Sequence, residues 1–464
     1  MSLITITENN LGVIYQNFGR YFDAEKMLQK GLEKSQKYYN LQNPSVIKTQ
    51  INLANVSRVL GKTEIALSYL DKAYASSINQ IGSDSPIVLI NLAEIAKTHI
   101  QEGNYPQAAI ILEAVLLKQI EVLGEEHENV LTTKSILANA YLGLRRFKEV
   151  NALLNDSLEA YSKLFNDGHP LILQLQVQLS QLYRAIDKHE EAIKLLHSAL
   201  ESSPKFFGES HLIFSTINSE LGVNHLMRGD YISAENYLLK ALQFSFKNFG
   251  EEHFQTLPHW GQLAFFYLQT GQHSKAIEIN NNLLLLQQKI LTKSHPNNSI
   301  VLSNLALSYL SLGDHNQAIL HYEKAIIIDC DMFGLNDQRV IARKHALAEI
   351  HQKLGNFDTA ISILEELLNQ KIQISGIRDL EVAGFQTALA LAYKRQQRYK
   401  DAEILLKEAI ITLRSDSKHD PRLDEFVQKE LMEISAIKAQ ELQKDFLMLG
   451  YLAELYRKIQ ENET

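Results

Sequence analysis

The chain has 464 residues, 45% of them hydrophobic, only eight prolines and a formal net charge of −8. That acidic balance excludes a broad nucleic-acid surface, which needs a basic stripe to displace counterions from phosphates. The single cysteine, Cys330, excludes intramolecular disulfides and most zinc sites.

The opening residues, Met1 to Asn10, lack a basic flank followed by an apolar core, and no apolar run approaches the ~20 residues of a membrane helix. A soluble, intracellular, cytoplasmic protein without membrane insertion is expected.

One unit is copied along the chain with a period of 42 residues and no insertion or deletion. Stepping by that period passes through Gly19, Gly61, Gly103, Arg145, Asp187, Gly229, Gly271, Gly313, Gly355 and Gln397. Eight residues before each of these markers stands a leucine or isoleucine, from Leu11 and Leu53 through Ile95 to Leu347 and Leu389. A fixed period overrides the several-domain prior that length alone would suggest, because a solenoid grows by adding units to one continuous core.

Each unit reads as two helices. In the second, Asn43 is a suitable cap and Pro44 sits where a missing N–H does no harm. Ile47, Ile51, Leu53 and Ala54 then form one apolar stripe, and Gly61 ends the helix. The partner helix carries Ala66, Leu67, Leu70, Ala73 and Tyr74 and stops near Gly82. Small residues follow these repeated leucines (Ala54, Ala138, Ala306, Ala390) and stand five after the markers (Ala66, Ala192, Ala318, Ala402). Such residues let antiparallel helices approach closely, while Tyr15, Tyr141, Tyr183, Tyr267, Tyr309 and Tyr393 fill the space between neighbours.

After Asp420-Pro421 the pattern decays. The expected marker is Ala439, and two amphipathic stretches, Leu423 to Ile437 and Phe446 to Tyr456, predict a terminal pair of helices capping the last repeat or folding back into its groove. The expected organisation is therefore a ten-repeat solenoid over 1–421 and capping helices over 422–464, all-α and right-handed.

The order Leu-Ala, Tyr, Gly, Tyr or Phe, Ala, Leu, Ala resembles that of tetratricopeptide repeats, whose usual period is about 34 residues. Eight further residues amount to about two helical turns. With Leu123-Gly124-Glu125-Glu126-His127 and His169-Pro170 or His295-Pro296 between units, the chain is similar to the long repeats of kinesin light chains and related bacterial proteins. That resemblance covers residues 1 to about 414 and implies an interaction scaffold whose ligands are gripped from residues nine, six and three before each marker.

Those positions divide into a polar and an apolar set. The polar set includes Asn10 and Gln16, then Asn52, Asn55 and Arg58, then Glu94 and Lys97, then Asn139, then Gln178, Gln181 and Arg184. Repeats six to eight turn apolar with Val223, Leu226, Phe265, Leu268, Leu307 and Leu310, and polar and basic residues return at Glu349, Gln352, Lys353, Lys394 and Arg395. Asparagine and glutamine both donate and accept, so a ladder of them suits the backbone of an extended peptide. Arginines and lysines add bonds to acidic side chains, and apolar residues receive leucine or aromatic anchors.

Five histidines, His127, His169, His211, His253 and His295, recur at the period where other repeats carry Asn43, Ser85, Asp337 and Asp379. They read as helix caps, since copies two helix diameters apart, roughly 20 Å, cannot share one metal ion. Neither a phosphate-binding glycine loop nor a His-Glu-x-x-His or Cys-x-x-Cys motif occurs, so no enzyme and no cofactor are expected. The expected function is a non-enzymatic scaffold that binds a protein or peptide segment in its concave groove. The alternative is a regulatory receptor gated by a small peptide or by its own C-terminal helix. Oligomeric state is left open.

Overall fold

The computed structural model describes residues 2–18, 20–38, 43–83, 85–165, 169–202, 212–415 and 421–462. Its helices gather into two compact units, Met1–Met332 and Phe333–Thr464.

In the first unit the helices come in antiparallel pairs: α1 (Ser2–Asn17) with α2 (Tyr21–Tyr38), α3 (Pro44–Val59) with α4 (Thr63–Ile81), α5 (Pro86–Glu102) with α6 (Tyr105–Leu123), and α7 (Glu128–Gly143) with α8 (Phe147–Leu164). They continue as α9 (Pro170–Ala185) with α10 (His189–Ser202), α11 (Leu212–Met227) with α12 (Tyr231–Phe249), α13 (Leu257–Gln269) with α14 (His273–Ile290), and α15 (Pro296–Ser311) with α16 (His315–Phe333). A short 3-10 turn, Phe254–Thr256, precedes α13. The second unit holds α17 (Gln338–Lys353), α18 (Phe357–Ser375), α19 (Leu380–Arg395), α20 (Tyr399–Ser415) and α21 (Pro421–Asn462).

The helix starts follow from their caps. The side chains of Asn43, Asp337 and Asp379 accept from the backbone N–H two residues on, and so do Nδ1 of His127, His169, His253 and His295, at 3.1 to 3.4 Å for the histidines. His211 lies outside the described residues. The small positions are fully buried: Ala66, Ala96, Ala108, Ala192, Ala264, Ala318, Ala348 and Ala402 are 0% exposed. Tyrosines tie neighbouring repeats together, the hydroxyls of Tyr141 and Tyr267 donating to Glu113 at 2.5 Å and Glu235 at 2.7 Å.

The marker position is left-handed even without glycine. Gly61, Gly103, Gly229, Gly271, Gly313 and Gly355 have φ between 74 and 82°, while Arg145, Asp187 and Gln397 adopt 57, 58 and 61°. The helix pair needs this bend to close, and a side chain there is held against its preference by about 1 kcal/mol. Replacing all three by glycine is expected to raise the unfolding free energy by roughly 1–3 kcal/mol in denaturant titrations. An unchanged or lowered midpoint would mean that these side chains contribute more than the strain removes.

The terminal pair of helices expected from the sequence is a single helix. No residue near Ala439 interrupts α21, and its first half packs Val427 and Ile434, both 0% exposed, into the core formed with α19 and α20. Fold-back is blocked because the two positions that must be small are occupied by Met432 and Lys444.

Candidate functional site

The first helix of each pair touches the first helix of the next, α1 to α3, α3 to α5, α5 to α7, α7 to α9, α9 to α11, α11 to α13 and α13 to α15. This close spacing puts the first helices on the inner side of the curve, with the expected ligand positions along it.

In the first three repeats Asn10 is exposed, and Asn52, Asn55, Arg58 and Lys97 are half-buried. Asn52 Nδ2 donates to Asn9 Oδ1 at 3.4 Å, and an Arg58 guanidinium nitrogen reaches Asn55 Oδ1 at 3.4 Å and Glu94 Oε2 at 3.6 Å. Lys97 closes on the same carboxylate at 2.7 Å. Three repeats later the arrangement recurs: Arg184 Nη2 lies 3.6 Å from Glu220 Oε2, and Gln181 Nε2 donates to Glu220 Oε1 at 2.8 Å. Arg58 and Arg184 are therefore not free cations awaiting an acidic ligand, since each is half-neutralised by a buried glutamate of the next repeat. Each keeps an Nε–H without an acceptor in the protein.

Between repeats four and six the amides form a linked ladder. Gln178 Nε2 donates to Asn139 Oδ1 and to the Ser135 carbonyl, both at 3.1 Å, and the Ser135 hydroxyl donates to Gln178 Oε1 at 2.7 Å. Asn139, Gln178 and Gln181 share a recess of about 410 Å³ with Gln174, Val177 and Ile213.

The apolar set divides. Leu226 and Leu268 are buried among Leu238, Leu263 and Phe266, so these two are core residues and not groove lining. A long polar side chain at this seam extends out of it, as Arg58 and Arg184 do, whereas a leucine ends inside. Val223 and Phe265 border a largely apolar recess of about 560 Å³, next to Arg184, Leu257, Leu283 and Ile300. Leu307 is 41% exposed and Leu310 half-buried. In the second unit Lys394 is engaged, its Nζ 2.7 Å from both Glu430 and Glu433 of α21. Glu349, Gln352, Lys353 and Arg395 surround a recess of about 520 Å³ there. Among the described residues no group of three His, Cys, Asp or Glu side chains is placed to hold a metal ion.

The family model of the tetratricopeptide repeat matches residues 3–79, 84–163, 171–245, 255–329 and 340–412. The chain belongs to the tetratricopeptide-repeat family. Repeats of this family generally serve as protein-interaction scaffolds. No curated protein matches the chain. Among solved structures it is similar to nearly identical TPR-like repeats of a kinesin light chain of Podosopora anserina, at 25% identity over 43% of this chain and 95% of that one, with a TM-score of 0.38. Another is BtubC of P. vanneervenii, at 19% identity over 51% and 92% of the two chains, TM-score 0.39. A Rap protein solved with Competence and Sporulation Factor shares the fold over 80% of this chain and 98% of that one, at 16% identity and a TM-score of 0.51.

The tetratricopeptide superhelix of the first unit closes on itself. Thr292 Oγ1 donates to the Leu60 carbonyl at 2.8 Å, and His295 Nε2 donates to the Val59 carbonyl at 3.1 Å, across 232 and 236 residues. Nearby, Tyr21 meets Phe254 edge to face at 5.3 Å, and one apolar cluster joins Leu32, Val56 and Leu60 to Ile290 and Leu291. One turn thus takes some five and a half repeats, and the Arg58–Glu94 and Arg184–Glu220 pairs, three repeats apart, stand about half a turn from each other.

These contacts form a clasp, and neither it nor Glu220 is among the site residues named from the sequence. Glu220 had a signal: Arg58 to Glu94, Arg184 to Glu220 and Lys394 to Glu430 all pair a cation with an acid 36 residues on.

Proposed function

We propose that the inner face of repeats four to eight binds an extended peptide segment of a partner protein. The carrying observation is the junction at Arg184, where the Asn139–Gln178–Gln181 ladder gives way to the apolar recess of Val223 and Phe265. Amides that both donate and accept suit a peptide backbone whatever its sequence. The apolar recess takes one or two leucine-sized or aromatic anchors, and the partly exposed guanidinium end of Arg184 takes a carbonyl or carboxylate between them. Asn10, Asn52, Asn55, Arg58 and Lys97 then extend the groove toward the first repeats, and Leu307 and Leu310 extend it past the recess.

A displayed library of random peptides, selected on the full chain, tests this. Selected sequences are expected to carry an apolar anchor, and Asn139→Ala with Gln181→Ala should weaken them roughly tenfold through the lost hydrogen bonds, while the chain stays folded with a lower thermal midpoint, since Gln178 and Glu220 each lose a partner. Undiminished binding in that variant, or loss only on Asn52→Ala with Asn55→Ala, removes the ladder of repeats four to six from the site.

The clasp favours a second reading, a receptor whose ligand alters the superhelical turn. It requires that a selected peptide bind the wild type and a clasp-weakened Gly61→Ala chain with different affinities. Equal affinities dispose of it.

A further inference from the structure

In the earlier repeats the first helix ends at the marker and a second helix covers it. In α21 the helix runs on for 42 residues, about 63 Å, and only its first half is packed. The face that carries Val427, Leu431 and Ile434 into the core continues in helical register through Lys438 to Leu442, Asp445, Leu449 and Leu452. Leu442, Leu449 and Leu452 are 58, 63 and 55% exposed, and Phe446, Leu447, Met448 and Tyr451 beside them are 61 to 73% exposed. A helix this apolar around its circumference is stable only when covered.

We infer that the projecting half of α21 joins two copies of this chain as an antiparallel helix pair. Three observations favour a second copy. The stripe prolongs a packing face already in use within the chain, so the same kind of helix-on-helix contact simply continues. It is also self-complementary, as an isologous contact must be. A two-fold axis between Gly450 and Tyr451 sets Leu449 against Leu452 of the other copy twice over. Finally, Leu442, Leu449 and Leu452 with the flanking Phe446 and Met448, at on the order of 100 Å² each, amount to about 500 Å² per copy, or the roughly 1,000 Å² in total that a specific interface must clear.

Sedimentation equilibrium of the full chain tests the assignment over a range of concentrations. The wild type is expected to dimerise, and Leu449→Glu with Leu452→Glu to be monomeric throughout, with the repeats still folded by circular dichroism because neither side chain packs against them. The register is checked by cysteine pairs. Leu449→Cys mixed with Leu452→Cys should cross-link between copies on mild oxidation, and Leu447→Cys alone, on the opposite face, should not. A wild type that stays monomeric, or a dimer indifferent to the glutamates, overturns the inference. So does a monomer that cosediments with vesicles of phosphatidylcholine and phosphatidylserine through the same leucines, which would assign the stripe to a lipid surface.

Discussion

Gly61→Ala is expected to lower the unfolding free energy by roughly 2–5 kcal/mol and to open the superhelical turn of the first unit. Two effects add at this position. The backbone sits at φ +78°, where an L side chain is strained by about 1–2 kcal/mol. A Cβ would also lie 2.7 Å from Cδ2 of His295, which is 5% exposed and held on both sides by its bonds to Val59 and Asn297. The ring cannot yield without giving up the Val59 carbonyl, and overpacking of this kind costs about 1–3 kcal/mol. Gly313→Ala separates the terms, because Gly313 has φ +81° and nothing within 4 Å of its would-be Cβ. Denaturant midpoints should fall for both variants, and further for Gly61→Ala. Small-angle scattering should show a larger radius of gyration for Gly61→Ala alone. If the two variants lose the same stability and neither expands, the clasp does not hold the turn.

The contrast between these glycines shows what the 42-residue period discloses and what it conceals. The period places every helix pair, and it places the left-handed bend even at Arg145, Asp187 and Gln397, because the fold imposes that bend by position. Cap identity at His127, His169 and His295 follows from the same register. Inner-face positions are readable too, but not their depth: the same seam that leaves Arg58 and Arg184 half-exposed swallows Leu226 and Leu268. Side-chain length decides this, and length is visible in the sequence only once the seam is known. The clasp lies deeper still. Its partners are more than 230 residues apart, and their meeting depends on small rotations summed over five and a half repeats, which no local pattern reports. At α21 the missing glycine at Ala439 was visible. Its consequence, one helix in place of two, turns on Met432 and Lys444 occupying positions that elsewhere are small.

Acid should weaken the first unit over a defined window. His295 and His259 are 5 and 6% exposed, and burial holds each imidazole down to about 4, against the opposing bonds of the Val59 carbonyl to His295 and of Gln262 to His259. The unfolded chain takes up these two protons near pH 6.5, whereas the folded chain resists them until about pH 4. Their contribution is therefore complete above pH 6.5 and is lost as the pH falls toward 4. At 1.36 kcal/mol per unit, each histidine accounts for about 3 kcal/mol across the window, and roughly 2 kcal/mol of that is gone by pH 5. Carboxylates act lower down: Glu403, held at about 2 by Lys407 and Lys438, begins to matter only below its ordinary value of 4.5. Denaturant titrations between pH 7.5 and 5 should thus report the histidines. His295→Asn keeps a capping side chain, as Asn43 does at the equivalent position, but has no group to titrate. This variant should start about 1 kcal/mol lower at pH 7.5, for the lost bond to Val59, and then show a shallower pH slope than the wild type, the remainder coming from His259 and from His225, His253 and His321, which burial also lowers. Parallel curves for the two proteins would mean that His295 is protonated in the folded state, and the buried, neutral imidazole of the clasp would have to be abandoned.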